Sequence, residues 1–304
     1  MSIFYTLLFI VLTVLILTHS PISMTFAMHA MTLWYSKMVP SLLPFMILSG
    51  IMIRMNLTEN CVKLIHPLFR LLFRCRKNLS YGILTGFLCG FPMGARVTAE
   101  LYNSGKITKR EADYLLAFCN NIGPVYFCSF VLPLLGLRLT LPYLFGMYGL
   151  PMLYGILLRC TAYRDIPEKE SSITGKERQK SALLDVLDDA VHTSIESIIM
   201  LCGYMILFNL LNIIPHFVLP AYSSYAAPLL EITGGLGLLG RSAPLYSLLT
   251  LAFGGMSCIA QTYHMIQNTD LSLKSYVRHR MLLTAITGVY YLLWYLLFPS
   301  LFLL

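Results

Sequence analysis

The sequence predicts an all-α polytopic membrane protein made of two related repeats whose helices are broken or re-entrant. Three observations carry this. The chain is 57% hydrophobic with a mean hydropathy of +0.70, and only 12% of its residues are charged, where soluble domains carry about a quarter. Several apolar runs approach the roughly 20 residues a helix needs to cross a bilayer. Between them lie shorter runs interrupted by glycine and proline, in matching places in the two halves. A water-soluble globule of this composition would expose far too much apolar surface. Soluble enzymes, nucleic-acid binders, disordered chains and disulfide-stapled secreted domains are therefore excluded.

In chain order, the apolar runs that read as spans are about 3–18, 22–39, 122–137, 139–160, 191–214 and 281–303. The first resembles a signal peptide in length, but no charge precedes Lys37 and no A-x-A site follows, so it reads as a retained membrane helix. The interrupted runs are 39–53 (Pro40, Pro44, Gly50), 81–95 (Gly82, Gly86, Gly90, Pro92, Gly94), 229–240 and 246–261. Irregular backbone at membrane depth is tolerated only where protein buries it or where it lines a watery cavity. Four such segments in one chain point to a transport pathway.

Residues 61–77 alternate basic and bulky apolar side chains, as an amphipathic helix on the membrane surface would. The hydrophilic stretch 163–182 reads as a linker between an N-terminal membrane repeat, 1–162, and a C-terminal one, 183–304. Stretches 54–77 and 163–182 hold half of the 22 basic residues, which places them in the cytoplasm and explains the net charge of +8 without a nucleic acid. The eight cysteines form no C-x-x-C pair and read as small apolar packing residues.

Sliding one half over the other sets 41–50 against 194–203, 90–105 against 255–270, and 107–116 against 271–280. Gly50 then meets Gly203, Gly90 meets Gly255, and Asn103 meets Asn268. Interruptions in corresponding positions of two halves are the sequence pointer to a transporter's substrate site, and inverted topology remains open.

The segments PSLLPFMILSG, GFPMGARVTAELYNSGKIT, LLAFCNNIGP and LLEITGG follow one another in that order. They resemble the YlbJ-like sporulation integral membrane proteins of the nucleoside-recognition, or Gate, group, distantly related to concentrative nucleoside transporters. The resemblance runs from about residue 30 to 290, with its Gate-like segment at about 39–136. It implies export of dipicolinic acid toward the developing spore, in the bacterial cell membrane or the outer forespore membrane. The partners it implies are membrane lipids and a small-molecule substrate, with a homo-oligomer or other sporulation membrane proteins beside them. The alternatives are a nucleoside-type transporter, or a non-transporting Gate-domain scaffold or recognition subunit.

Asn120 and Asn121 precede Gly123 and Pro124 in a turn that suits a helix stop; with the resemblance they read as substrate contacts. Glu231 stands in an apolar stretch before Thr233 and the Gly234–Gly235 pair. A carboxylate at membrane depth is expensive, so it pairs with a cation such as Arg96 or Arg241, takes a proton, or faces water. Arg96 directly follows the GFPMGA break, where a restarting helix and a guanidinium suit a carboxylate; a cytosolic-edge arginine is the plainer reading.

The substrate-binding set is therefore Gly90, Pro92, Gly94, Arg96, Asn120, Asn121, Gly123, Glu231, Thr233, Gly234, Ser257 and Gln261. Gly86, Gly90 and Gly94 also have the spacing of a close helix-packing stripe. Asp185, Asp189, His192 and Glu196 share one helix face, either an amphipathic segment in water or a proton path. Glu231 and Glu196 are the candidates for proton coupling. His192 and Glu196 are too few ligands for a metal. No phosphate loop, G-x-S-x-G elbow or H-E-x-x-H pair occurs, so neither an enzyme, an ATP-driven pump nor a cofactor is expected. Transport is then downhill or ion-coupled.

Overall fold

The structure is a computed structural model that describes residues 2–168 and 183–303. Among the described residues the chain is helical, with no strand. Five helices among the described residues are long and apolar enough to cross a membrane: Ser20–Arg54, Leu137–Cys160, Leu183–Val218, Pro244–Ile266 and Leu273–Leu297. Shorter apolar helices cover Phe9–Thr18 and Pro124–Leu135. Leucines along the outer helices stand largely exposed, among them Leu17, Leu141, Leu184 and Leu297. Lipid tails make that exposure costless, because only water penalises it. This is an integral membrane protein. Most of the linker, residues 169–182, lies outside the described residues.

Residues 39–53 form no separate broken segment, contrary to the sequence reading. They continue the helix Ser20–Leu33 through a widened turn, Trp34–Met38, into Val39–Arg54. The physical reason recurs along the chain. Widened turns at Trp34–Met38, Phe127–Val131 and Phe145–Gly149 each end two residues before a proline, Pro40, Pro133 or Pro151. A proline clashes with the carbonyl four residues back, and an i→i+5 turn moves that carbonyl aside.

The surface stretch 61–77 also differs from expectation. Its helix is only His66–Phe73, closed by Arg74 in the left-handed conformation (φ 45°). Leu68 and Leu71 face outward while Phe69 and Phe73 are buried. Arg76 turns inward and pairs with Glu111 at 2.5 Å, both side chains buried. Arg159 donates to the carbonyls of Phe73, Arg74, Tyr163 and Ile166. Lys106 donates to Ile53 O, Arg110 pairs with Asp165, and Lys109 pairs with Asp270. These contacts collect the polar turns at one end of the bundle.

Ser20–Arg54 and Leu183–Leu210 pack along each other. Trp34 Nε1 donates to Ile198 O at 2.8 Å, and Gly50 lies against Ala190. The interior has two apolar centres. One surrounds the stack of Phe73 on Phe118, with ring centroids 5.6 Å apart. The other surrounds Phe127 on Tyr143, at 4.5 Å.

Candidate functional site

Helix Lys77–Cys89 stops at Gly90, and Met93–Asn103 starts two residues after Phe91. Gly90 has φ 81°, and a Cβ there would sit 2.3 Å from Gly123 N. Only glycine fits a position that is both left-handed and touching another backbone. Gly86 and Gly94 also face the turn after Lys109–Phe118; their Cβ atoms would lie 2.4 and 2.5 Å from Cys119 O. The stripe Gly86, Gly90, Gly94 is therefore a packing surface that seats the first break on the Asn120–Gly123 turn.

In the second half, Glu231 is the extended residue between helices Ser223–Leu230 and Ile232–Leu239. Its carboxylate caps the second of these, accepting from Thr233 N at 3.1 Å and Gly234 N at 2.6 Å. Asn209 Nδ2 donates to it at 3.1 Å. Four unpaired N–H groups and the dipole at a helix N-terminus hold negative charge there. Glu231 is only 2% exposed, and among the described residues no arginine pairs with it: Arg241 donates to Pro133 O instead. Pro244–Phe253 and Gly255–Ile266 meet at Gly254 (φ 86°), and a Cβ there would lie 3.0 Å from the Phe91 ring. The breaks of the two halves thus meet at Phe91.

A cavity of about 580 Å³, its mouth included, opens at this meeting point. Cys89, Phe91, Gly123 and Tyr126 wall it from the first half's breaks, and Glu231, Thr233, Cys258 and Gln261 from the second's. Met38, Ser41 and Leu42 close it together with Leu201 and Met205. Tyr126 donates to Thr233 Oγ1 at 3.2 Å across the two halves, and Gln261 donates to Ser257 Oγ at 2.8 Å. The wall is mostly apolar and aromatic, with a carboxylate, a carboxamide and hydroxyls at fixed places. Such cavities bind small molecules, the polar groups setting orientation.

Of the sequence-derived set, Gly123, Glu231, Thr233 and Gln261 line the cavity. Gly90, Pro92, Gly94, Gly234 and Ser257 stand behind it and set its backbone. Asn120 accepts from Ala95 N and donates to Thr262 at 2.9 Å; Asn121 donates to Phe118 O at 2.6 Å. Both amides join helices rather than face the cavity. Arg96 lies elsewhere, bonded to Glu100 at 2.9 Å and to Ser194 at 3.1 Å. Asp185, Asp189, His192 and Glu196 are exposed, while Ala190, Ser194 and Ile198 form the buried face of their helix.

The sequence reading missed Arg280. It is 4% exposed and donates to the carbonyls of Asn120 and Ala252 and to Asn121 Oδ1. Its guanidinium lies over Phe91, 4.6 Å from the ring centroid. It therefore places a positive charge one ring away from the cavity. Two arginines, Arg278 and Arg280, in the apolar helix Leu273–Leu297, with no acid in that helix to pair them, were the available signal.

Residues 35–140, which carry the first break and the Asn120–Gly123 turn, match the Gate family model described as nucleoside recognition. The chain is 27% identical over 329 residues to the sporulation integral membrane protein YlbJ of Bacillus subtilis (strain 168), covering 94% of this chain and 80% of that protein. No solved structure matches significantly. The chain is thus an integral membrane protein similar over most of its length to a sporulation membrane protein, with a segment, 35–140, that matches the Gate nucleoside-recognition model.

Proposed function

We propose that this chain is a sporulation membrane transporter, not an enzyme, and that it moves a small aromatic anion, dipicolinic acid, through the cavity at the breaks. The observation that carries this is the cavity wall, drawn from breaks in both halves between membrane-spanning helices. The halves are proposed as related repeats because their interruptions converge there. Likeness to a sporulation membrane protein supports the setting. Phe91 and Tyr126 offer flat faces to a ring, and Gln261 and the hydroxyl of Thr233 offer donors to carboxylate oxygens. Three donors already hold the Glu231 charge. Arg280 behind Phe91 offsets the charge of an incoming anion.

A nucleoside is the second reading. It is favoured by the pairing of a carboxylate, Glu231, with a carboxamide, Gln261, in an apolar wall that holds no cation among its lining residues. Ion coupling, if present, falls to Glu231, since Glu196 is exposed and absent from the wall. Flux into proteoliposomes tests these readings, with dipicolinate, uridine and adenosine compared under proton and sodium gradients. Dipicolinate flux that Gln261→Leu lowers about tenfold, the loss of one charge-assisted hydrogen bond, is the expected result. Nucleoside flux alone would select the second reading. No flux of any of the three above empty liposomes would make the protein a non-transporting scaffold.

A further inference from the structure

Arg54 and Arg96 come from different helices, Val39–Arg54 and Met93–Asn103, yet both point at the same turn of Leu183–Leu210. Arg54 Nη2 donates to Thr193 Oγ1 at 3.3 Å, and Arg96 Nη2 donates to that same oxygen at 3.4 Å. Arg96 Nη2 also donates to Ser194 Oγ at 3.1 Å. Sharing one hydroxyl holds the two guanidinium groups within about 7 Å of each other, near the limit of strong unscreened repulsion.

Their charges are not matched locally. Among the described residues Glu100 is the one carboxylate bonded to either, through Arg96 Nε at 2.9 Å, and its Oε2 has no partner. Arg54 Nη1 and Arg96 Nη1 are both out of solvent and without an acceptor. Arg96 is 4% exposed. A guanidinium has five N–H donors, and leaving some buried and unmade is costly. Two unpartnered Nη1 groups, on guanidinium groups that share the Thr193 hydroxyl, lack the acceptors that such groups bind best: two oxygens on one central atom. None of these side chains lines the central cavity.

We propose that Arg54 and Arg96, held together by Thr193 and Ser194, form a second ligand site, outside the central cavity, for an oxyanion: the carboxylate or phosphate group of a small molecule or of a lipid headgroup. Each arginine donates from Nη1 to one oxygen, and Ser194 fixes the Arg96 fork. Glu100 competes with the anion for Arg96 and so sets the affinity. The site lies beside the end of Val39–Arg54, to which Lys106 also donates, so it is part of the basic end of the bundle. It does not depend on which molecule the cavity takes.

The test uses the full chain in phosphatidylcholine nanodiscs, with thermal unfolding followed as succinate, inorganic phosphate or chloride is added at equal ionic strength. Parallel nanodiscs contain phosphatidylglycerol. Stabilisation by succinate or phosphate beyond chloride, weakened about tenfold or more in Arg54→Gln and Arg96→Gln, is the expected result for a soluble anion. Stabilisation by phosphatidylglycerol alone, lost in the same variants, assigns the site to a lipid headgroup. Equal responses of the wild type to all of these anions and lipids would overturn the proposal, as would a response that persists in the double variant. Should the arginine variants fail to fold, Glu100→Gln decides: tighter binding supports the site, and unchanged or weaker binding overturns it.

Discussion

The guanidinium of Arg280 lies 4.6 Å from the centroid of the Phe91 ring, joining the last long helix to the first glycine–proline break. The same group reaches Asn120 O, Asn121 Oδ1 and Ala252 O, so one cation ties three interrupted segments around the cavity. A planar fork can serve these directions at once, and an ammonium cannot. Arg280→Lys is therefore expected to keep the charge and still lower stability by about 2 kcal/mol, the value of lost charged hydrogen bonds. Thermal unfolding of the purified protein checks this; a lysine variant as stable as wild type would remove the fork from the account.

Glycine's role at the first break is steric. Gly86→Ala would set a Cβ 2.4 Å from Cys119 O, a backbone atom with little freedom to retreat. A cost of about 2 kcal/mol or more is expected from such overpacking. Gly203 has nothing within 4 Å of its Cβ position, so Gly203→Ala is expected to be neutral or to stabilise by up to about 1 kcal/mol. Denaturation curves for the pair check the contrast, and equal effects would contradict it.

The Arg76–Glu111 pair is buried and bidentate, at 2.8 and 2.5 Å, and Glu111 also completes a capping box with Thr108. Removing one partner strands the other charge. Glu111→Ala is expected to cost about 3–5 kcal/mol, whereas replacing both residues with apolar ones recovers most of that loss. A double-mutant cycle on unfolding free energies measures the coupling. Additive losses would show that the two charges do not act as a pair.

Lys106 gives a pH signature. Burial pushes its ammonium down to about 8, with Glu59 opposing weakly. Between about 8 and 10.4, the ordinary lysine value, the unfolded chain keeps the proton that the folded chain has released. Stability therefore rises with pH through that window and is flat in this respect below it. Lys106→Met is expected to remove the rise. Melting temperatures from pH 7 to 10.5 check this, since parallel curves for wild type and variant would place the titration elsewhere.

Composition and run length alone determined that this chain is an all-helical membrane protein. Both follow from the solvent: lipid cannot hydrogen-bond a backbone, so apolar runs of spanning length must be helices. The glycine–proline interruptions were legible for the same reason, and so was Glu231, whose short carboxylate caps the helix that follows it. What each polar group faces was not legible, because side-chain direction depends on helices far away in sequence. Arg96 follows a break in the chain yet points at Thr193 and Ser194, while Arg280 comes to that break from the last long helix. Asn120 and Asn121 looked like cavity donors and became joints, since a buried helix end satisfies its own amides first. Pro40 looked like an interruption and did not break its helix, because a widened turn before it takes up the clash, as similar turns do before Pro133 and Pro151. Sequence set the solvent, the helices and their breaks. Only the packing of distant helices decided which charges meet, because in lipid a buried charge goes wherever a partner waits.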